Sequence, residues 1–103
     1  MLVDLSIIPL GGEADWTAQR AEALKLVEAS GLAYQLTPSG LCIEGDWSAV
    51  MPLVQRCHER ARKASRHVVT TLKIEDKEGV KDHLTRNVLL VEEKVGEMLR
   101  KVK

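Results

Sequence analysis

The chain has 103 residues, 45% of them hydrophobic and 29% charged. That describes one globular domain with enough apolar side chain for a core, and it excludes a disordered chain. Fifteen Lys and Arg balance fifteen Asp and Glu, and 3% of residues are aromatic, so there is no general pull toward nucleic acid or an anionic membrane.

Residues 2–10 (LVDLSIIPL) are apolar and β-branched, and predict a first strand ended by Gly11 and Gly12. Asp4 interrupts this run and no basic stretch precedes it, so no secretory leader is expected. No apolar stretch approaches the roughly 20 residues needed to span a bilayer. A cytoplasmic location is the expectation.

Residues 15–30 are rich in helix formers, with Ala18, Ala21, Leu24 and Val27 at near-helical spacing and Gly31 as a left-handed stop. Two short strands follow at 33–37 and 41–45. Thr37-Pro38-Ser39-Gly40 between them fits a type I turn, with proline second and glycine fourth. Asp46 or Ser48 caps a second helix running to about Ala64, with an apolar face of Val50, Leu53, Val54, Cys57 and Ala61. Pro52 is awkward within it, so either the first turn is irregular or the helix starts later than the cap suggests. Residues 67–75 (HVVTTLKIE) predict a fourth strand, and a long helix occupies about 78–101.

The order β-α-β-β-α-β is the split βαβ pattern of an α+β, ferredoxin-like domain, here followed by a helix. The whole chain reads as one such domain, with its core in 1–76. The expected sheet is antiparallel, in the order 4-1-3-2, with two helices on one face. Val3, Leu5, Ile7, Leu24, Val27, Ile43, Leu53, Val54 and Leu72 are the expected core.

Strand side chains alternate. With Val3, Leu5, Ile7, Tyr34, Leu36, Leu41, Ile43, Val68, Thr70, Leu72 and Ile74 turned to the helices, the other face is left open. It carries Asp4, Ser6, Ile8, Gln35, Thr37, Cys42, Glu44, Val69, Thr71 and Lys73. A few convergent polar groups on an apolar floor suit a small ligand. An ordinary solvated face or a polar subunit contact is the plainer reading.

Other motifs are weak. Gly11-Gly12 precedes a helix and could cradle a phosphate, but a flexible turn is the better reading. His58, His67 and His83 lack metal-ligand spacing and read as surface histidines. Cys42 and Cys57 read as buried free thiols, and no histidine is placed to activate Cys42 as a nucleophile. Arg56, Arg60, Arg62, Lys63 and Arg66 cluster where cations complement a helix C-terminus, with nucleic-acid binding as the rival. Leu84, Val88, Val91, Val95, Met98 and Val102 form a heptad seam, widened by Leu89, Leu90 and Leu99. The domain's core helices being already used, this seam must bury elsewhere: packing on its own subunit is one reading, and contact with another subunit is the preferred one.

SIIPLG (6–11), YQLTPSG (34–40), IEGDW (43–47) and VVTTLKIED (68–76), in this order, resemble the small thiamine-binding proteins of ferredoxin-like fold. The resemblance covers roughly residues 1–76. It implies tetramers built as dimers of dimers, binding of thiamine or its hydroxymethylpyrimidine portion, and no enzymatic reaction or cofactor. The chain departs from the family in having Leu41 and Cys42 after the hairpin glycine and Lys77 after the last strand. The expected ligand residues are Asp4, Ser6, Ile8, Leu10, Gln35, Thr37, Cys42, Glu44, Thr71 and Lys73. Asp4 or Glu44 opposes the thiazolium charge. Ser6, Gln35, Thr37 and Thr71 meet the pyrimidine edge, and Ile8 and Leu10 give apolar contact. The rival is a structural or regulatory assembly module whose open face meets protein.

Overall fold

The computed structural model describes residues 1–11 and 15–102, with side chains as far as residue 96. Gly12 and the seam side chains of Met98, Leu99 and Val102 lie outside the described residues. The elements are β1 (Leu2–Leu10), α1 (Trp16–Ser30), β2 (Ala33–Leu36), β3 (Leu41–Glu44), α2 (Trp47–Ala64), β4 (His67–Glu75) and α3 (His83–Val102). The sheet order is β2-β3-β1-β4, and all three pairings are antiparallel. This is the expected ferredoxin-like arrangement.

Local chemistry sets most boundaries. The Asp15 carboxylate accepts the Ala18 N–H at 3.0 Å and starts α1, and Gly31, at φ 75°, ends it. Asp46 caps α2 through its carbonyl, which accepts the Ala49 and Val50 N–H groups. Its side chain makes no cap bond. Pro52 lies inside α2, which continues through it. The missing proline N–H leaves the Ser48 carbonyl without its helical donor. Ser48 is exposed, so water can serve that carbonyl.

The β2–β3 hairpin closes with Thr37 N–H to the Gly40 carbonyl at 2.9 Å and Gly40 N–H to Thr37 Oγ1 at 3.0 Å. Among the described residues no non-glycine φ is positive, which leaves type I as the turn at Pro38-Ser39. Gly40 is required by proximity to β1. A Cβ built on it falls 2.0 Å from the Leu5 carbonyl oxygen.

The core lies between the sheet and α1 and α2. Val3, Leu5, Val27, Leu41, Ile43, Val50, Leu53, Val54, Cys57 and Ala61 are buried, and Ile7, Leu24 and Leu72 pack against them. Four expectations need correction. Ala18 and Ala21 are exposed, and α1 turns Ala23 inward together with the expected Val27. Leu36 and Ile74, on the two edge strands, are exposed. α3 begins at His83, because Gly79, at φ 78°, and a Val80 N–H to Lys77 carbonyl bond make a turn first. His83 is buried, at 4% exposure, not a surface histidine.

Candidate ligand-binding face

The pairing registers resolve the open face into rungs. Gln35 pairs with Cys42, Cys42 with Asp4, and Asp4 with Lys73, so these four side chains form one line across all four strands. Strands lie about 4.8 Å apart, so the line spans roughly 14 Å. On one side of it Ser6 pairs with Thr71, followed by Ile8 with Val69 and Leu10 with His67. On the other side lies the rung Ala33, Glu44, Leu2 and Glu75.

Helix α3 starts over that last rung. The Leu84 N–H donates to both Glu44 carboxylate oxygens at 3.3 and 3.4 Å, placing a negative charge at the positive end of the helix. His83 Nδ1 lies 3.3 Å from Glu75 Oε1, and Asn87 Nδ2 donates to the same oxygen at 2.7 Å. His83 Nε2 is buried with no hydrogen-bond partner among the described residues. The first turns of α3 thus form a wall beside the Gln35–Lys73 rung. Between wall and sheet edge is a hollow of about 320 Å³, lined by Tyr34, Gln35, Leu84, Thr85, Val88 and Leu89. Sequence reasoning missed Tyr34, Thr85 and this wall. The seam at Leu84 and Val88 is the available signal, and packing on its own subunit, the less favoured of its two readings, is what the first turns of α3 do.

The expected site residues differ in what their polar atoms already do. Asp4, Gln35, Thr71 and Lys73 are exposed, while Ser6, Ile8, Thr37, Cys42 and Glu44 are half-buried. Ser6 Oγ donates to the Ser39 carbonyl at 3.1 Å, leaving its lone pairs free to accept. Thr37 Oγ1 accepts from Gly40, leaving its proton free to donate. Burial pushes the Cys42 thiol up, and the Asp4 charge beside it adds to the shift. Cys42 is therefore a protonated thiol at neutral pH, without the lowered pKa of a reactive cysteine. Leu10 stands apart from the rung, at the end of the sheet.

A larger cleft, of about 790 Å³, opens there between the start of α1 and the end of α2. Leu10 is the one expected site residue in its lining, with Gly11, Gln19, Glu22, Lys63 and Arg66 among the others. Part of the basic cluster is spent locally. Arg60 Nη1 binds Glu22 at 2.8 Å, and Arg62 Nη1 donates to the Ser65 and Arg66 carbonyls at the end of α2. The helix-terminus reading of Arg62 therefore holds. Among the described residues no group of three or more His, Cys, Asp or Glu is placed to hold a metal ion, and no helix is long and apolar enough to cross a membrane.

Comparison with known proteins gives a consistent picture. Residues 3–92 match the family described as "Thiamine-binding protein". A UPF0045 protein of Mycobacterium bovis is 36% identical over 93 residues, covering 89% of this chain and 91% of that protein. The UPF0045 protein YqgV of Bacillus subtilis is 33% identical over 93 residues, covering 84% and 89%. A hypothetical protein of Methanocaldococcus jannascii has a crystal structure with a TM-score of 0.80 at 23% identity, covering 89% of this chain and 95% of that one. A Thermotoga maritima protein provisionally assigned to thiamine biosynthesis or salvage superposes with a TM-score of 0.70 at 19% identity, covering 80% and 89%.

Proposed function

The chain belongs to the thiamine-binding protein family, and from that premise we propose that it binds thiamine or its hydroxymethylpyrimidine portion on the open sheet face, without catalysis. The observation that carries this reading is the single rung of Gln35, Cys42, Asp4 and Lys73 beside the α3 wall. Thiamine joins a cationic thiazolium to an aminopyrimidine with both donors and acceptors. Asp4 is an exposed carboxylate on a central strand, suited to the cation. Glu44 lies one rung away but is tied to the Leu84 N–H, so it acts on the site partly by fixing the wall. Gln35 and Thr71, with the remaining capacity of Ser6 and Thr37, serve the pyrimidine edge. Ile8 supplies apolar floor, and Leu10 extends it toward the sheet end.

The protonated state of Cys42 supports binding without covalent chemistry. A homotetrameric, cytoplasmic protein completes the proposal, with the α3 seam as one subunit contact. Val88, Leu89, Leu90, Val91 and Val95 are all exposed on the single chain, a surface that an apolar contact would cover. Titration calorimetry with thiamine and with hydroxymethylpyrimidine tests the function. Saturable heat with either supports it. Absence of heat with both leaves the assembly-module reading in its place.

A further inference from the structure

The cleft between the start of α1 and the end of α2 holds charge that the fold itself does not use. At about 790 Å³ it can take a small molecule whole, since ligand pockets run from roughly 300 to 1,000 Å³. Pro9, Leu10, Ala18 and Ala64 give it apolar lining, and Gly11 leaves open space where a Cβ would stand. Asp15, Glu22, Arg60, Lys63 and Arg66 line it as well. Three of these have local partners. Asp15 accepts the Ala18 N–H at the positive end of α1. Glu22 is held between Lys25 at 3.1 Å and Arg60 at 2.8 Å. Lys63 and Arg66 differ, making no ion pair and no side-chain hydrogen bond among the described residues. Neither is needed at the end of α2, where Arg62 already donates to the Ser65 and Arg66 carbonyls.

What remains is a pair of cations beside an apolar wall. We propose that this cleft is a second ligand site, which takes a small organic phosphate monoester, with the phosphate on Lys63 and Arg66 and the organic part against Pro9, Leu10 and Ala64. A phosphate monoester is close to a dianion at neutral pH, which two cations match. The arginine fork can also hold two of its oxygens at once. The cleft is larger than a bare phosphate fills, and its apolar lining accounts for the organic part. A nucleic-acid strand fits less well, because the chain has zero formal net charge and only 3% aromatic residues on which bases could stack. Thiamine carries a cationic ring, which the same two side chains repel. The inference therefore goes beyond the open-face assignment and stands without it.

Phenyl phosphate, inorganic phosphate and phenol separate the two halves of the site. Titrating the full chain at low salt, where exposed charges are least screened, should give saturable amide shifts with phenyl phosphate at Leu10, Gly11, Gln19, Lys63 and Arg66. Inorganic phosphate should shift the same residues with weaker affinity, and phenol should not saturate. Replacing both cations, Lys63→Gln with Arg66→Gln, should weaken phenyl phosphate about tenfold. Both side chains are exposed, so circular dichroism should show the variant folded. Arg66→Lys, which keeps the charge and loses the fork, should fall between wild type and the double variant. No saturable shift in the cleft of the wild-type chain overturns the proposal, and that measurement needs no variant to fold. Equal phenyl phosphate affinity in the double variant overturns it too. So does a single-stranded oligonucleotide that binds these residues where phenyl phosphate does not, which assigns the cations to nucleic acid.

Discussion

Replacing Gly40 with alanine should be among the most damaging single-methyl changes in this protein. The added Cβ would sit 2.0 Å from the Leu5 carbonyl oxygen, 3.0 Å from its carbon and 3.3 Å from the Ser6 Cα. All three are backbone atoms, so no side chain can swing aside. Relief requires β1 and the hairpin to separate by well over an ångström, against the β1–β3 ladder and the Thr37–Gly40 bonds. Overpacking in a fixed site costs typically 1–3 kcal/mol, and a clash confined to backbone belongs at about 3 kcal/mol. At roughly 4–8 °C per kcal/mol for a domain of this size, the melting temperature should fall by roughly 12–24 °C. Gly31→Ala is the control. Gly31 has φ 75° and nothing within 4 Å of an added Cβ, so its cost is the left-handed backbone alone, roughly 1–2 kcal/mol. Thermal melting by circular dichroism compares the two. A Gly40→Ala chain that melts no lower than Gly31→Ala would refute the packing argument.

Two further substitutions probe α3. Glu44→Gln keeps shape but removes the charge under the helix N-terminus, and should lower stability by about 0.5–1 kcal/mol in thermal melting. If Glu44 also faces the ligand, thiamine affinity measured by calorimetry falls roughly ten- to a hundredfold, and equal affinity removes it from the site. Val91→Asp with Val95→Asp puts charge into the exposed seam of α3 and should lower the mass measured by light scattering, while circular dichroism shows the chain still folded. An unchanged mass assigns the seam to something other than subunit contact.

Much of this architecture can be read from strand alternation. The parity of Val3, Leu5 and Ile7 already separates Asp4 and Ser6 from the core, and antiparallel pairing in the 4-1-3-2 order brings Asp4 between Cys42 and Lys73. The face was legible, but the rung was not, because register depends on how the hairpin seats against β1. Gly40 fixes that seating through its approach to Leu5, a tertiary contact that local spacing does not reveal. The buried face of α2 is legible, since Val50, Leu53, Val54, Cys57 and Ala61 mark it, but Pro52 suggests an irregular first turn or a later start, and the helix instead runs from Trp47 through it. α1 was misread at Ala18 and Ala21, because alanine suits either an exposed or a buried position. Leu36 and Ile74 have inward parity but sit on edge strands, and remain exposed. The start of α3 was misplaced because Asp76, Lys77 and Glu78 give no sign of a break until Gly79 turns the chain. His83 is buried at that start, with its Nδ1 on Glu75, and nothing in its immediate sequence announces this.

The central claim concerns where thiamine sits, and two regions of the surface compete for it. Amide chemical-shift mapping of the full chain during a thiamine titration separates them directly. The account predicts saturable shifts clustered at Asp4, Gln35, Cys42, Thr71 and Lys73, extending to Leu84 and Thr85 on the α3 wall. Shifts confined to Gly11, Gln19, Lys63 and Arg66 would move the site to the cleft between α1 and α2 and contradict the open-face assignment. No saturable shift anywhere would contradict thiamine binding itself.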